Sequence, residues 1–191
     1  MEKNQVSRFR LALIGGSAGG LDAILKIMSR LQQVPSYPIV IVLHRKADYD
    51  TLLVDLLENR TVIPVREAEE KITIENGYLY VAPADFHLLF ESDGTFALDA
   101  SEKVNYSRPS IDVSFISAAE VYRENLLCIL LSGANADGTA GMKTARELGA
   151  TCIVQAPQSA EVPFMPESAL KEMEVDLVLA AESIGDFMAR L

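Results

Sequence analysis

With 191 residues, 49% of them hydrophobic, the chain is long enough to bury one sizeable core. Its net charge of −10 leaves no basic footprint for nucleic acid or an anionic membrane surface. No apolar run is long and clean enough to span a bilayer or to insert directly into one, and the polar start MEKNQVSRFR leads into an apolar run too short for a secretory signal.

The expectation is a soluble cytoplasmic protein with one domain over residues 1–191, of which 1–8 form a polar tail. The apolar pattern then alternates. FRLALIG (9–15) reads as a buried strand, and GLDAILKIMSRL (20–31) follows with Leu21, Ile24, Leu25, Met28 and Leu31 at helical spacing. YPIVIVLH (37–44) is a second apolar strand, YDTLLVDLLENR (49–60) a helix and VIPV (62–65) a short strand. Continuous apolar strands separated by helices predict an α/β fold: a mostly parallel, Rossmann-like sheet in a three-layer αβα arrangement. Around residues 72–100 the pattern changes. GYLYVAP, FHLLFES and TFALDA are short alternating segments with turns at Pro83-Ala84-Asp85 and Ser92-Asp93-Gly94, and they predict an antiparallel segment. Alternation resumes with a helix over 110–124 capped by Ser110, a buried strand LLCILLSG (126–133), a helix over 139–149 closed by Gly149, and a strand ATCIVQ (150–155). The Pro-rich bend APQSAEVPFMP (156–166) leads to a helix near 167–173, a strand DLVLA and a C-terminal helix. Cys128 and Cys152 fall inside apolar strands and read as reduced core thiols. With no CxxC and no His/Cys cluster, no metal is expected.

In an open parallel sheet, ligands bind where the loops at the carboxyl ends of the strands meet. Three polar groups are predicted at that edge. The first is Ser17 in GGSAGG (15–20). The stretch fails as a dinucleotide fingerprint, because serine stands where glycine is needed, and as a P-loop, because no Lys-Ser/Thr follows. It matches GxSxG, the turn that exposes a nucleophilic serine, although a plain glycine-rich turn with an incidental serine explains it equally well. The second is His44, at the end of IVIVLH. The third is Asp137 in SGANADG (132–138), where a helix N-cap is the simpler role. Together they make a Ser-His-Asp hypothesis in which Asp137 accepts Nδ1–H of His44. The order Ser…His…Asp is not that of α/β-hydrolases. His87, the other histidine, reads as an exposed strand residue.

The motifs IGGSAGG, the strand ending in LH, VAPADFHL, SRPSIDVSF, LLSGANADGTAGM and VPFMPESAL, in that order, resemble the catalytic domain of bacterial chemotaxis protein-glutamate methylesterases, the CheB family. The resemblance runs from about residue 10 to the end. It implies a mostly parallel α/β sheet and hydrolysis of glutamyl methyl esters on chemoreceptor signalling helices, in many members with deamidation of receptor glutamines. By motif, Ser17 matches the nucleophile, His44 the base and Asp137 the orienting carboxylate. This chain departs from the family at Ala18, where threonine is usual, at Arg45, where methionine often follows the histidine, and at Ala134, where methionine is usual. Typical chemotaxis members also carry a receiver domain, so a stand-alone form, an excised domain and a separate receiver-domain or kinase regulator are all open.

The chemistry so implied is acyl transfer without metal or organic cofactor. Amides at Ala18 and Ala134 would face the oxyanion. Arg45, Lys46, Arg108 and Lys143 would form a basic rim against acidic receptor helices, with Arg45 and Arg108 foremost. Two other readings stay open: a catalytically weak signalling module of the same fold, and an esterase for small esters outside chemotaxis.

Overall fold

A computed structural model describes residues 8–45 and 50–191. The tail residues 1–7, the rim candidate Lys46 and the expected helix start at Tyr49 lie outside these. The chain runs β1 (Leu11–Gly16), α1 (Gly20–Met28), β2 (Ile39–Leu43), α2 (Asp50–Glu58), β3 (Val65–Glu67), β4 (Leu79–Val81), β5 (His87–Phe90), β6 (Phe96–Asp99), α3 (Ile111–Tyr122), β7 (Leu126–Leu130), α4 (Thr139–Glu147), β8 (Thr151–Gln155), α5 (Phe164–Glu172), β9 (Leu177–Leu179) and α6 (Ala181–Met188). Seven strands form one parallel sheet in the order β3-β4-β2-β1-β7-β8-β9.

Every residue of β1, β2 and β7 is buried, and the period-2 alternation of a strand sends successive side chains to opposite faces. On β1, Ala12 and Ile14 pack with Ile24, Ile27 and Ile184 from α1 and α6. Leu11 and Leu13 pack with Phe115, Met142 and Met165 from α3, α4 and α5. Both faces are therefore covered, which is why these strands are apolar without interruption. Each of the leucine, isoleucine, phenylalanine and methionine side chains among these contributes about 1.5–3 kcal/mol of burial free energy.

Three boundaries differ from the sequence expectation. The strand foreseen at 62–65 begins only at Val65, because Pro64 has no N–H for the ladder and serves only as acceptor, to Leu79. Within 72–100, Leu79–Val81 joins the main sheet, parallel to both β2 and β3. Antiparallel pairing there is confined to β5 with β6 and to one isolated bridge between Thr73 and Thr95. The α5 helix starts at Phe164, inside the Pro-rich bend. Its Pro166 falls in the first turn, where a missing N–H costs nothing.

Progression from β1 goes outward through β2 to β4 and β3 on one side, and from β7 through β8 to β9 on the other. The order reverses between β1 and β7, so their carboxyl ends diverge into a crevice. The register pairs Gly16 with Leu43 and Gly15 with Leu130. The loops carrying Ser17, His44 and Asp137 therefore leave the sheet at one edge.

Candidate active site

The β1–α1 turn is built by its main chain. The Ser17 N–H donates to Ser132 O at 2.9 Å, Gly20 N–H donates to Ser17 O at 2.8 Å, and Ser132 Oγ donates to Ala18 O at 2.7 Å. Gly19 has φ +73, and a Cβ there would come within 2.7 Å of Ser132 Oγ, so both conformation and space demand glycine. Gly15 lies directly against Ile111 at the start of α3. The glycines thus let the turn press against two neighbouring elements, and the half-exposed Ser17 hydroxyl makes no hydrogen bond among the described residues. The amides of Ala18 and Ala134, both exposed, are likewise unengaged among the described residues, whereas those of Ser17, Gly20, Ser132 and Gly133 are all committed. Ala18 and Ala134 thus keep the N–H groups that an oxyanion would need.

His44 follows β2 and is tied to β1 by its backbone N–H, which donates to Gly16 O at 3.2 Å. Its Nε2 lies 2.7 Å from Asp137 Oδ2, and its Nδ1 lies 3.3 Å from Ser107 Oγ. This reverses the expected use of the ring. Asp137 is fully buried, so only the distal nitrogen reaches it. With the carboxylate as acceptor Nε2 is the donor, and Nδ1, on the other side of the ring, meets Ser107 Oγ; no hydrogen bond joins Ser17 to His44 among the described residues.

Asp137 is not the cap of its own helix. The N-cap of α4 is Gly138, with φ +94. The Asp137 carboxylate instead turns to the start of α3. It accepts from Ile111 N at 2.7 Å, Asp112 N at 3.1 Å, Ser110 Oγ at 2.9 Å and Asn105 Nδ2 at 3.0 Å, besides His44. An anion at a helix N-terminus meets unpaired N–H groups and the positive end of the helix dipole. Burial opposes ionisation of Asp137, but the hydrogen bonds from His44, Asn105, Ile111 and Asp112 outweigh it and hold its pKa down to about 2. The arrangement is reciprocal. Asp112 in the first turn of α3 accepts the Gly141 N–H of α4 at 2.6 Å. Burial pushes the Asp112 carboxyl up, the negative charge of Asp137 adds to that, and the Gly141 amide acts against it. Ser110 caps α3 as expected, through Val113 N–H.

His87 is buried, not exposed. Its Nδ1 accepts the Ser110 N–H at 3.1 Å and its Nε2 lies 2.9 Å from Glu102 O, which makes it a tether between β5 and the start of α3. Beside His44 lies a cavity of 440 Å³ lined by Arg45, Asp85, Lys103, Tyr106, Ser107 and Arg108. Arg45 and Arg108 reach it, yet their guanidinium groups hold protein partners. Arg45 donates to Glu67 Oε2 and Ala82 O, and Arg108 donates to Ala100 O and Ser101 O. Lys143 lies exposed in the first turns of α4. Sequence reasoning missed Asn105, Ser107 and Asp112. Ser107 and Asp112 lie in the SRPSIDVSF stretch, quoted for its resemblance without a role for either, and Asn105 lies outside it. Among the described residues no cluster of metal-ligating side chains is found, and no helix is long and apolar enough to cross a membrane.

The sequence profile of CheB methylesterases matches residues 12–188. The chain belongs to the CheB methylesterase family. It is 32% identical to the crystal structure of the Thermotoga maritima CheB methylesterase catalytic domain, with a TM-score of 0.91 over 95% of this chain and 98% of that one. A Leptospira interrogans protein, provisionally named protein-glutamate methylesterase/protein-glutamine glutaminase, is 44% identical over 96% of this chain and 95% of its own length. The Thermotoga maritima protein-glutamate methylesterase/protein-glutamine glutaminase is 32% identical over 95% of this chain but only 54% of its own length. The fold expected from the resemblance, a mostly parallel sheet with a small antiparallel pair, is the fold found.

Proposed function

We propose that this protein removes methyl groups from glutamate γ-methyl esters on methyl-accepting chemotaxis receptors, with Ser17 as nucleophile, His44 as base and Asp137 as the carboxylate that orients it. One observation carries the reading: a buried, ionised Asp137 contacts His44 at 2.7 Å at the sheet edge where the Ser17 turn emerges. The names of the relatives from Leptospira and Thermotoga supply the methyl ester of a protein glutamate, and the receptor as its carrier comes from the family resemblance.

Ser17 Oγ attacks the γ-carbonyl while its proton passes to His44 Nδ1, forming a tetrahedral adduct. The free amides of Ala18 and Ala134 receive the oxyanion; removal of one such donor costs about 10²–10³-fold in rate. The adduct expels methanol, with the proton returned from Nδ1. Water then attacks the acyl-serine by the same route and frees the glutamate carboxylate. Asp137 stays ionised throughout and stabilises the imidazolium. The same steps release ammonia from a glutamine side chain, in keeping with the glutaminase part of the relatives' names. Lys103 beside Arg45 and Arg108 gives the cavity a basic lining in an acidic protein, suited to an acidic helix. The exposed Phe86, Val104 and Tyr106 in the adjoining loops offer apolar contact to the same partner.

The test is methanol release from a methylated receptor signalling domain beside hydrolysis of a small ester, together with labelling by a serine-reactive phosphonate. The expected result is labelling of Ser17 and preference for the receptor. A protein that takes no label is a binding module of this fold, and one that prefers the small ester is an esterase outside chemotaxis.

A further inference from the structure

Two buried carboxylates, Asp112 and Asp137, face each other across the starts of α3 and α4, and one amide spans them. Asn105 Nδ2 lies 2.8 Å from Asp112 Oδ2 and 3.0 Å from Asp137 Oδ1. Asn105 is delivered by an unusual piece of chain. It and Tyr106 have φ of 51 and 63, and the flanking Val104 and Ser107 exchange backbone hydrogen bonds of 3.2 and 2.9 Å. Two consecutive left-handed residues closing such a pair make a type I′-like turn, where asparagine is one of the few residues that fits. Asn105 itself is exposed, so only its amide reaches inward. The same turn brings Ser107 Oγ to His44 Nδ1.

We propose that Asn105 is a positioning residue of the hydrolytic site: its amide holds the Asp112 and Asp137 carboxylates apart and leaves Asp137 Oδ2 for His44. The inference rests on the Ser17–His44–Asp137 reading above. Asp137 Oδ1 also holds Ser110 Oγ and Asp112 N–H, so the far oxygen is the one available to the imidazole. Without the amide, Asp112 loses its Oδ2 partner and lies next to a second buried carboxylate. A proton shared directly between the two would draw charge from the oxygen that faces His44. Asn105 acts through Asp137 and touches no reacting atom.

The charged and titratable groups around the pair come from several elements: His44 after β2 contacts Asp137, His87 on β5 holds the Ser110 N–H at the start of α3, and Arg45, Asp85, Lys103 and Arg108 line the cavity beside His44.

The test uses the full chain and a peptide carrying a glutamyl γ-methyl ester, with Ser17→Ala and His44→Gln as controls. Asn105→Gly keeps the left-handed backbone and removes the amide. It is expected to lower kcat about tenfold or more, within the 10–100-fold span seen when supporting partners of functional ligands are lost, while KM stays within about twofold. Asn105→Asp keeps size and turn preference but adds an acid. It is expected to raise the pH of half-maximal kcat/KM on the acid side, because added negative charge favours the imidazolium; a residue that only shapes the loop would leave that pH where it is. If Asn105→Gly loses the fold, the Asn105→Asp pH profile alone decides. An unmoved acid limb in Asn105→Asp, or wild-type kcat in a folded Asn105→Gly, overturns the proposal. Should Ser17→Ala or His44→Gln retain full activity, the triad reading fails instead.

Discussion

The turns after β1 and β7 look alike in sequence, GGSAGG and SGANADG, yet they hold their functional side chains in opposite ways. Around Ser17 the main chain is committed on both sides while the half-exposed hydroxyl is left alone. Around Asp137 the side chain itself is committed, fully buried under five donors. A nucleophile must move as it reacts, so its scaffold is fixed through the backbone. A carboxylate that must stay ionised is fixed through its own oxygens.

If that contrast is right, Ser17→Ala separates activity from stability most sharply. It is expected to lower kcat by about 10⁴-fold or more in methanol release, with a denaturant midpoint within error of the parent. Asp137→Asn is expected to fail in both respects. Its amide presents donors where Ile111, Asp112 and Asn105 also donate, so kcat falls by about 10⁴-fold, the cost of the same change in the trypsin-type triad. Stability falls by about 1–3 kcal/mol from the unpaired buried groups, read by urea unfolding.

The acid stability of the parent gives a smaller signature. The pKa of Asp137 is depressed from 3.8 to about 2, so its stabilisation is fully present above about pH 4 and is lost as pH falls from there toward 2. The loss amounts to about 2 kcal/mol. Asp112 has the opposite sign: its pKa is raised, so its contribution is present below the ordinary carboxylate range and fades as pH rises through the raised value. Unfolding curves from pH 6 to 2 should therefore fall at the acid end, and the fall should be shallower in Asp137→Asn, with the remainder left to the other depressed carboxylates such as Asp176.

The smallest effect on activity is expected from His87→Gln. It disturbs the tether to Ser110 and costs about 1–3 kcal/mol in stability, while methanol release at a permissive temperature stays within about tenfold. Loss of activity in the folded variant would place His87 in the chemistry and undo the distinction between the two histidines.

The sheet was legible because its strands are buried on both faces and so read as unbroken apolar runs, and GxSxG with a strand-end histidine marked the edge. Four things were not. Leu79–Val81 is a three-residue strand whose alternating neighbours look antiparallel in one dimension, while its partners β2 and β3 are set by the tertiary fold. His87 looked exposed because nothing local shows that α3 would cover β5. The simpler alternative for Asp137, a cap on its own helix, looks to neighbours in sequence, whereas the helix start it meets lies 26 residues earlier. Asn105 gave no signal of its own, since its role depends on two carboxylates brought together by two helices.

The position of β1 in the middle of the sheet, between β2 and β7, has a consequence for synthesis. Ser17 and His44 are made before β7, so β1 lacks one of its two neighbours until Leu126–Leu130 has emerged, and Asp137 comes later still. Domains form from the N-terminus onward as they are translated, yet a nascent chain here carries Ser17 and His44, the proposed nucleophile and base, without Asp137 to orient the imidazole. Pairing between such distant segments is also slow to form. On the proposed roles the growing chain is chemically silent, and hydrolysis begins only once the second half has closed over the first. Chains stopped before Leu126 should take no phosphonate label at Ser17, and completed ones should take it in step with folding.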